Sequence, residues 1–280
     1  MPVADQMELV THCPALRKLS WRLPSTAVRC MPMRHLVRFQ SNRKGHSKLL
    51  ALKMDGNLYL EQDLVAFLTL ERQVGLLELS LESSSFGRAS WLALQSNAPS
   101  CLNTLQVLRL RGCMDVDGSM ALEILCSLPN LKEFAAPLIS SFDLEMDPRP
   151  WVCQRSLLHL HVGIGMESQD KQRLMFARLA GLEHLQVLKL GSAQSLSQKG
   201  LDLLEADLRL EHGLDLLDPL KELQEFGVEV HQTLSSEDVD WMIQHWPSLR
   251  IVRGQLNREM DTWSVLSLCL DNAQIEHWLV

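Results

Sequence analysis

The chain has 280 residues, 46% of them hydrophobic, with 27 Lys and Arg against 34 Asp and Glu for a formal charge of −7. That length suits two ordinary domains or one elongated repeat array, and the acidic balance argues against a nucleic-acid binder, which needs a basic field to exchange counterions. No stretch approaches the roughly 18 uncharged apolar residues of a membrane span, Met1 to Glu8 lack the basic start and apolar core of a secretory signal, and seven cysteines without a C-x-x-C pair suit reduced thiols in a cytoplasmic or nuclear protein.

In chain order, His12-Cys13-Pro14-Ala15 reads as the end of a helix leading into the apolar phrase Leu16, Leu19 and Trp21. The pattern thus begins in mid-repeat, and an upstream capping segment is expected. Residues from Met33 to Phe39 are ambiguous, and the phrase returns at Leu49, Leu52 and Met54, then at Leu76, Leu79 and Leu81. Its fullest form is Leu105-Gln106-Val107-Leu108-Arg109-Leu110-Arg111-Gly112-Cys113. In such a phrase the leucines face one way and the intervening residues the other, as the period of two of a strand requires. Asp117 is placed to cap a helix that turns Met120, Ile124 and Leu125 inward and closes at Pro129.

The next phrase is Leu131, Phe134 and Ala136, after which the stretch from Asp143 to Trp151 has two prolines and no helical rhythm, so a loop crossing is expected there. Leu157, Leu160 and Val162 follow, then a helix from Ser168 to Leu179, then Leu185, Leu188 and Leu190. The interval to Leu223, Phe226 and Val228 is longer, and Leu201 to Leu210 reads as an extra helix. Ser235 and Asp238 have capping-box spacing, and Val239, Met242, Ile243 and Trp246 predict a one-faced helix over 236–246. Leu249 and Val252 form the last phrase, leaving 258–280 as a C-terminal cap to repeats that run from about 10 to 257.

The last apolar position of the phrase falls at Leu81, Leu110, Ala136, Val162 and Leu190. The interval is long enough for one short strand, one helix and two loops. Such periodicity matches the leucine-rich-repeat pattern, which predicts an α/β fold in a single domain over 1–280: a solenoid with a curved parallel sheet on its concave face and helices on its convex face. No linker interrupts it.

Enzyme chemistry is not expected. The sequence contains no G-x-S-x-G elbow, P-loop or H-E-x-x-H. Cys113 falls where the turn after the strand uses a side chain to satisfy backbone groups, and Cys13, Cys101 and Cys126 follow the repeat rather than a metal-ligand spacing. Asp115 and Asp117 lie between a strand and a helix, where capping is the commoner role. Gly163-Ile164-Gly165 lacks the third glycine of a nucleotide fingerprint and reads as a turn. Most tryptophans fall on core positions, while Trp151, beside Pro150, is expected to be exposed. No cofactor or metal is implied.

The residues between the leucines define the candidate binding wall: Lys53, Glu78, Glu82, Arg109, Arg111, Glu133, His159, His161, Lys189, Glu225 and Arg253, with Lys18, Ser20, Asp55, Ser80, Val107 and Glu229 beside them. Eight strands at about 4.8 Å build an arc of roughly 35 to 40 Å, enough for the ~800 Å² that each side of a standard protein interface buries. Arg109 and Arg111 either pair with Glu78 and Glu82 of the preceding strand or offer two forked cations to an acidic partner. His159 and His161 share a strand face, where they form part of the contact surface or grip a metal. Their protonation near pH ~6 would make binding depend on pH.

The phrase ending at Cys113, with Val116-Asp117 and Ser127-Leu128-Pro129-Asn130-Leu131 after it, resembles the cysteine-containing repeats of F-box substrate receptors. Cys13-Pro14-Ala15-Leu16 and Trp246-Pro247-Ser248-Leu249 repeat its C-P-x-L ending, the second with Trp for Cys. With Trp151-Val152-Cys153 ahead of a strand, the chain is similar to fungal F-box and leucine-rich-repeat proteins over about 10–257. The resemblance implies a receptor that holds a protein substrate on its solenoid while an F-box docks on a ubiquitin-ligase adaptor. No L-P-x-E-[IL] opening precedes Cys13, so adaptor binding would need an F-box outside this chain. A ligase-independent scaffold or inhibitor is the alternative within binding proteins; a regulator of a GTPase, acting through Arg111, is the alternative from another class.

Overall fold

The computed structural model describes residues 16–22, 49–55, 60–69, 75–97, 99–191 and 203–278. The helix end expected at His12 to Pro14 and the segment from Met33 to Phe39 lie outside them. Among the described residues, ten strands form one all-parallel sheet in chain order: β1 (Lys18–Arg22), β2 (Ala51–Asp55), β3 (Glu78–Ser80), β4 (Val107–Arg109), β5 (Glu133–Ser140), β6 (His159–Gly165), β7 (Val187–Gly191), β8 (Glu225–Val228), β9 (Ile251–Arg253) and β10 (Glu276–Trp278). Between them run helices α1 (Glu61–Leu68), α2 (Arg88–Asn97), α3 (Pro99–Thr104), α4 (Gly118–Leu125), α5 (Ser141–Met146), α6 (Gln172–Ala180), α7 (Ser236–His245) and α8 (Met260–Asn272). The architecture is α/β, and β10 joins the sheet as its last strand beside β9.

One column of the register explains the core. Leu52, Leu79, Leu108, Phe134, Leu160, Leu188, Phe226 and Val252 stand side by side on successive strands, and all are 0% exposed. The helices add Leu64, Trp91, Ile124, Phe176, Met242 and Leu266 to the same cluster. Each such side chain contributes about 1.5–3 kcal/mol of burial. Because strand side chains alternate, fixing this column inward turns its neighbours on both sides to the opposite face.

Helix ends follow the local chemistry. Asp117 caps α4 by accepting the Met120 N–H at 2.8 Å, and Ser235 and Asp238 complete a reciprocal capping box at the start of α7. The helix expected from Ser168 opens as a 3-10 turn, Gln169–Lys171, before α6.

Three expectations are corrected. The stretch after β5 is not wholly a loop: Ser140 and Asp143 form a second capping box and start α5, a helix too short to display a period. Trp151 is 2% exposed, folded into the core beside Cys153 instead of outward. Gly163 and Gly165 belong to β6, held by pairing with Leu138 and Ser140 of β5, and do not form a turn.

The extra helix expected from Leu201 to Leu210 lies partly outside the described residues. Over 203–208 there is no helix; Leu204 instead exchanges backbone hydrogen bonds with Met166. Two buried glutamines explain the difference. Gln172 donates to the Asp207 and His212 carbonyls and accepts from the Asp207 N–H, while Gln232 donates to the Ala206 carbonyl and accepts from Leu208. Their amides take backbone groups that a helix would have paired internally. Short 3-10 turns at Leu210–His212 and Leu214–Leu217 complete the crossing.

Candidate functional site: the open face of the sheet

The face opposite the helices is where the predicted wall residues come together. One column there runs Lys53, Ser80, Arg109, Ala135, His161, Lys189, Gly227, Arg253, and its neighbour holds Glu78, Glu133, His159 and Glu225. Acidic and basic side chains therefore stand diagonally across adjacent strands, close enough to pair.

They do pair. Glu78 accepts from Lys53 Nζ and from Arg109 Nη1, both at 2.8 Å. Arg109 turns its other edge to Glu133, with Nε at 2.5 Å and Nη2 at 2.7 Å from the two carboxylate oxygens, and His159 Nδ1 lies 3.9 Å from the same carboxylate. Farther along, Glu225 binds Lys189 at 2.8 Å and Arg253 at 2.6 Å. Burial raises the pKa of both Glu78 and Glu225, but their paired cations outweigh it and hold both carboxyls below the usual value.

Arg111 departs from its expected partner. Instead of Glu82 it reaches Glu229, beyond the end of β8, and Glu229 also meets His161 Nε2 at 3.2 Å. Burial, then the Arg111 charge, lowers the His161 pKa against the pull of Glu229. Glu82 is left with no cation partner among the described residues. The two arginines are thus not free cations awaiting an acidic partner.

No protein-family model and no curated protein matches the sequence.

Near the Arg111–Glu229 contact, two adjacent positions toward the C-terminal ends of the central strands carry no side chain. Gly163 and Gly191 pair directly across β6 and β7, and beside them Pro137 sits where the register shifts between Ala136 and Leu138. Pro137 has no N–H to give the ladder, so the strand bulges there. A cavity of about 420 Å³ results, bounded by Glu82, Arg111, Met114, Pro137, His161 and Glu229. It opens onto a second hollow of about 300 Å³ between Arg109, His159 and Lys189, which shares Glu82, Arg111 and His161. Sequence reading placed these charges on one face but missed the hollow, whose only signal was Gly163 and Gly191 at equivalent positions of successive phrases.

The chemistry of the remaining candidates is structural. Cys113 is fully buried and its thiol donates to the Leu81 carbonyl at 2.9 Å; burial pushes its pKa up to about 11. Cys126, Cys153 and Cys269 are likewise free thiols. Among the described residues no group of three or more His, Cys, Asp or Glu side chains is arranged to hold a metal ion, and no helix is long and apolar enough to cross a membrane.

Proposed function

We propose that this chain is a protein-interaction module: a leucine-rich-repeat solenoid whose open sheet face is concave and receives a protein partner, used as the substrate-recognition part of an F-box-type ubiquitin ligase. The observation that carries the interaction reading is the strand order. Among the described residues, ten parallel strands adjacent in chain order, with one face built into the core and the other lined by half-exposed charged side chains, make a long wall for contact. Support for the concave form comes from Arg111 and Glu229. They follow β4 and β8, four strand spacings or roughly 19 Å apart on a flat sheet, farther than the two side chains span, so their contact needs a sheet bent toward its open face.

The ligase role rests on the resemblance of the repeats to F-box receptors, and adaptor binding would need an F-box outside this chain. The reading assigns no reaction, no cofactor, no nucleic acid and no membrane. A ligase-independent scaffold would use the same face. A GTPase regulator would need Arg111 to project freely, and its tie to Glu229 disfavours that use.

The test is affinity purification of the full chain from its own cells, beside a variant carrying Ala135→Arg, which plants a bulky charge in the middle of the open face. Recovery of a substrate with a ligase adaptor and cullin, lost in the variant, is the expected result. A stable partner without adaptor would transfer the reading to the scaffold. Partners retained by Ala135→Arg would refute binding on this face.

A further inference from the structure

The charges on the open face are not evenly satisfied. Lys53, Arg109, Arg111, Lys189 and Arg253 each touch a carboxylate, so an anionic partner meets no free cation among them and would have to break an existing pair. Glu82, half-buried at the end of β3, has no cation partner among the described residues, and the same holds for Asp115 on the neighbouring rim. Of the two, Glu82 lines the hollow over Gly163 and Gly191. At the β3–β4 end of the hollow, Glu82 is thus a carboxylate without a cation partner among the described residues, while the neighbouring Arg111 is held by Glu229.

Its shape suits one class of group. Met114, Val116, Ala136 and Pro137 give it an apolar side, and Glu82 and Glu229 lie on its rim. Long basic side chains have that division, a methylene stem that packs on apolar surface and a charged head that seeks a carboxylate. From β3 to β8 the trough spans at most five strand spacings, roughly 24 Å, which an extended segment of about seven residues would cover at ~3.3 Å per residue.

We propose that this glycine-floored hollow is a subsite for an arginine or lysine side chain of an extended partner segment, with Glu82 as the carboxylate that receives its charge. The proposal rests on the interaction reading above and deepens it by naming the partner's chemistry. Arg111 stands beside Glu82 on the next strand, with its guanidinium turned to Glu229 on the far side of the hollow. An approaching cation gains Glu82 without breaking any pair, whereas an anion must compete with Glu229 for Arg111 or with Glu78 and Glu133 for Arg109.

The experiment uses degenerate heptapeptide pools that differ only in a fixed central residue, arginine, lysine, norleucine or glutamate, passed over the immobilised full chain. Three proteins are compared: the unaltered chain, Glu82→Gln and Ala135→Arg, each shown by circular dichroism to be folded. The expected result is retention of the arginine and lysine pools at least several-fold above norleucine, with that preference abolished by Glu82→Gln. Equal retention of all pools, lost only in Ala135→Arg, would overturn the subsite and leave the face reading intact. A preference for glutamate, or a basic preference that survives Glu82→Gln, would also overturn it. If no pool is retained above the Ala135→Arg control, the subsite fails together with the peptide-binding face.

Discussion

Replacing Arg109 by Met tests whether the ion-pair ladder on the open face holds the sheet together. Met keeps most of the aliphatic stem, so the change removes charge and hydrogen bonds more than packing. It deletes one contact to Glu78 and two to Glu133. Charge-assisted hydrogen bonds contribute about 1.5–3 kcal/mol when shielded and exposed ion pairs about 0.2–1 kcal/mol. The side chains here are 24%, 18% and 25% exposed, between those limits, and Glu78 retains Lys53, so Arg109→Met should cost about 2 kcal/mol at pH 7. The direction with pH follows from Glu78. Its folded pKa lies below the ordinary 4.5, so its stabilisation is fully present above that value and is lost as the pH falls through the lower, folded one. The cost of Arg109→Met should accordingly shrink below pH 4.5. Urea unfolding followed by circular dichroism measures it, alone and in a cycle with Glu133→Gln. Losses that add within about 0.3 kcal/mol in that cycle would refute the coupling, and an undiminished cost in acid would refute the role of Glu78.

Other consequences can be checked separately. Leu108→Ala, in the fully buried column, should cost about 2–5 kcal/mol in the same unfolding assay, and a loss under about 1 kcal/mol would contradict the inward register. Asp117→Ala removes the cap on the Met120 N–H and should cost about 1 kcal/mol, with Asp117→Asn nearly neutral. The Cys113 thiol, pushed up to about 11, should resist iodoacetamide at pH 8 in the native protein and react once urea is added, as mass spectrometry of the labelled peptides would report. His161 should titrate below its ordinary 6.5 in an NMR pH series. Since the unfolded chain then binds the proton more tightly, His161 contributes stability that is present above pH 6.5 and is lost as the pH falls toward the folded value. Glu229→Gln should lower the midpoint further, and an upward shift would contradict the pairing.

The apolar phrases were legible in the sequence because their physics is local. A leucine at every second position selects a face without knowledge of any other strand, which is why Leu79, Leu108 and Leu188 fall into register as read. Caps were legible for the same reason, since Asp117 and the Ser235–Asp238 box act within one helical turn. The wall residues followed by alternation from the leucines. The sequence by itself thus determined the inward column of the strand phrases, the residues that alternate away from it, and the order in which those strands follow one another.

Tertiary structure decided what distant groups do to one another. Gln172 and Gln232 undo the helix expected near Leu204 from positions far along the chain, and Trp151 enters the core because the crossing turns there, which no periodic signal reports. Above all, no spacing rule joins Arg111 to Glu229. They meet across four strand spacings, and that meeting, over two glycines in register, frames the hollow, while Glu82 has no cation partner among the described residues. Alternation is a property of neighbours along the chain, so it sorts residues onto faces; pairing across those faces depends on where the assembled sheet brings residues of distant strands.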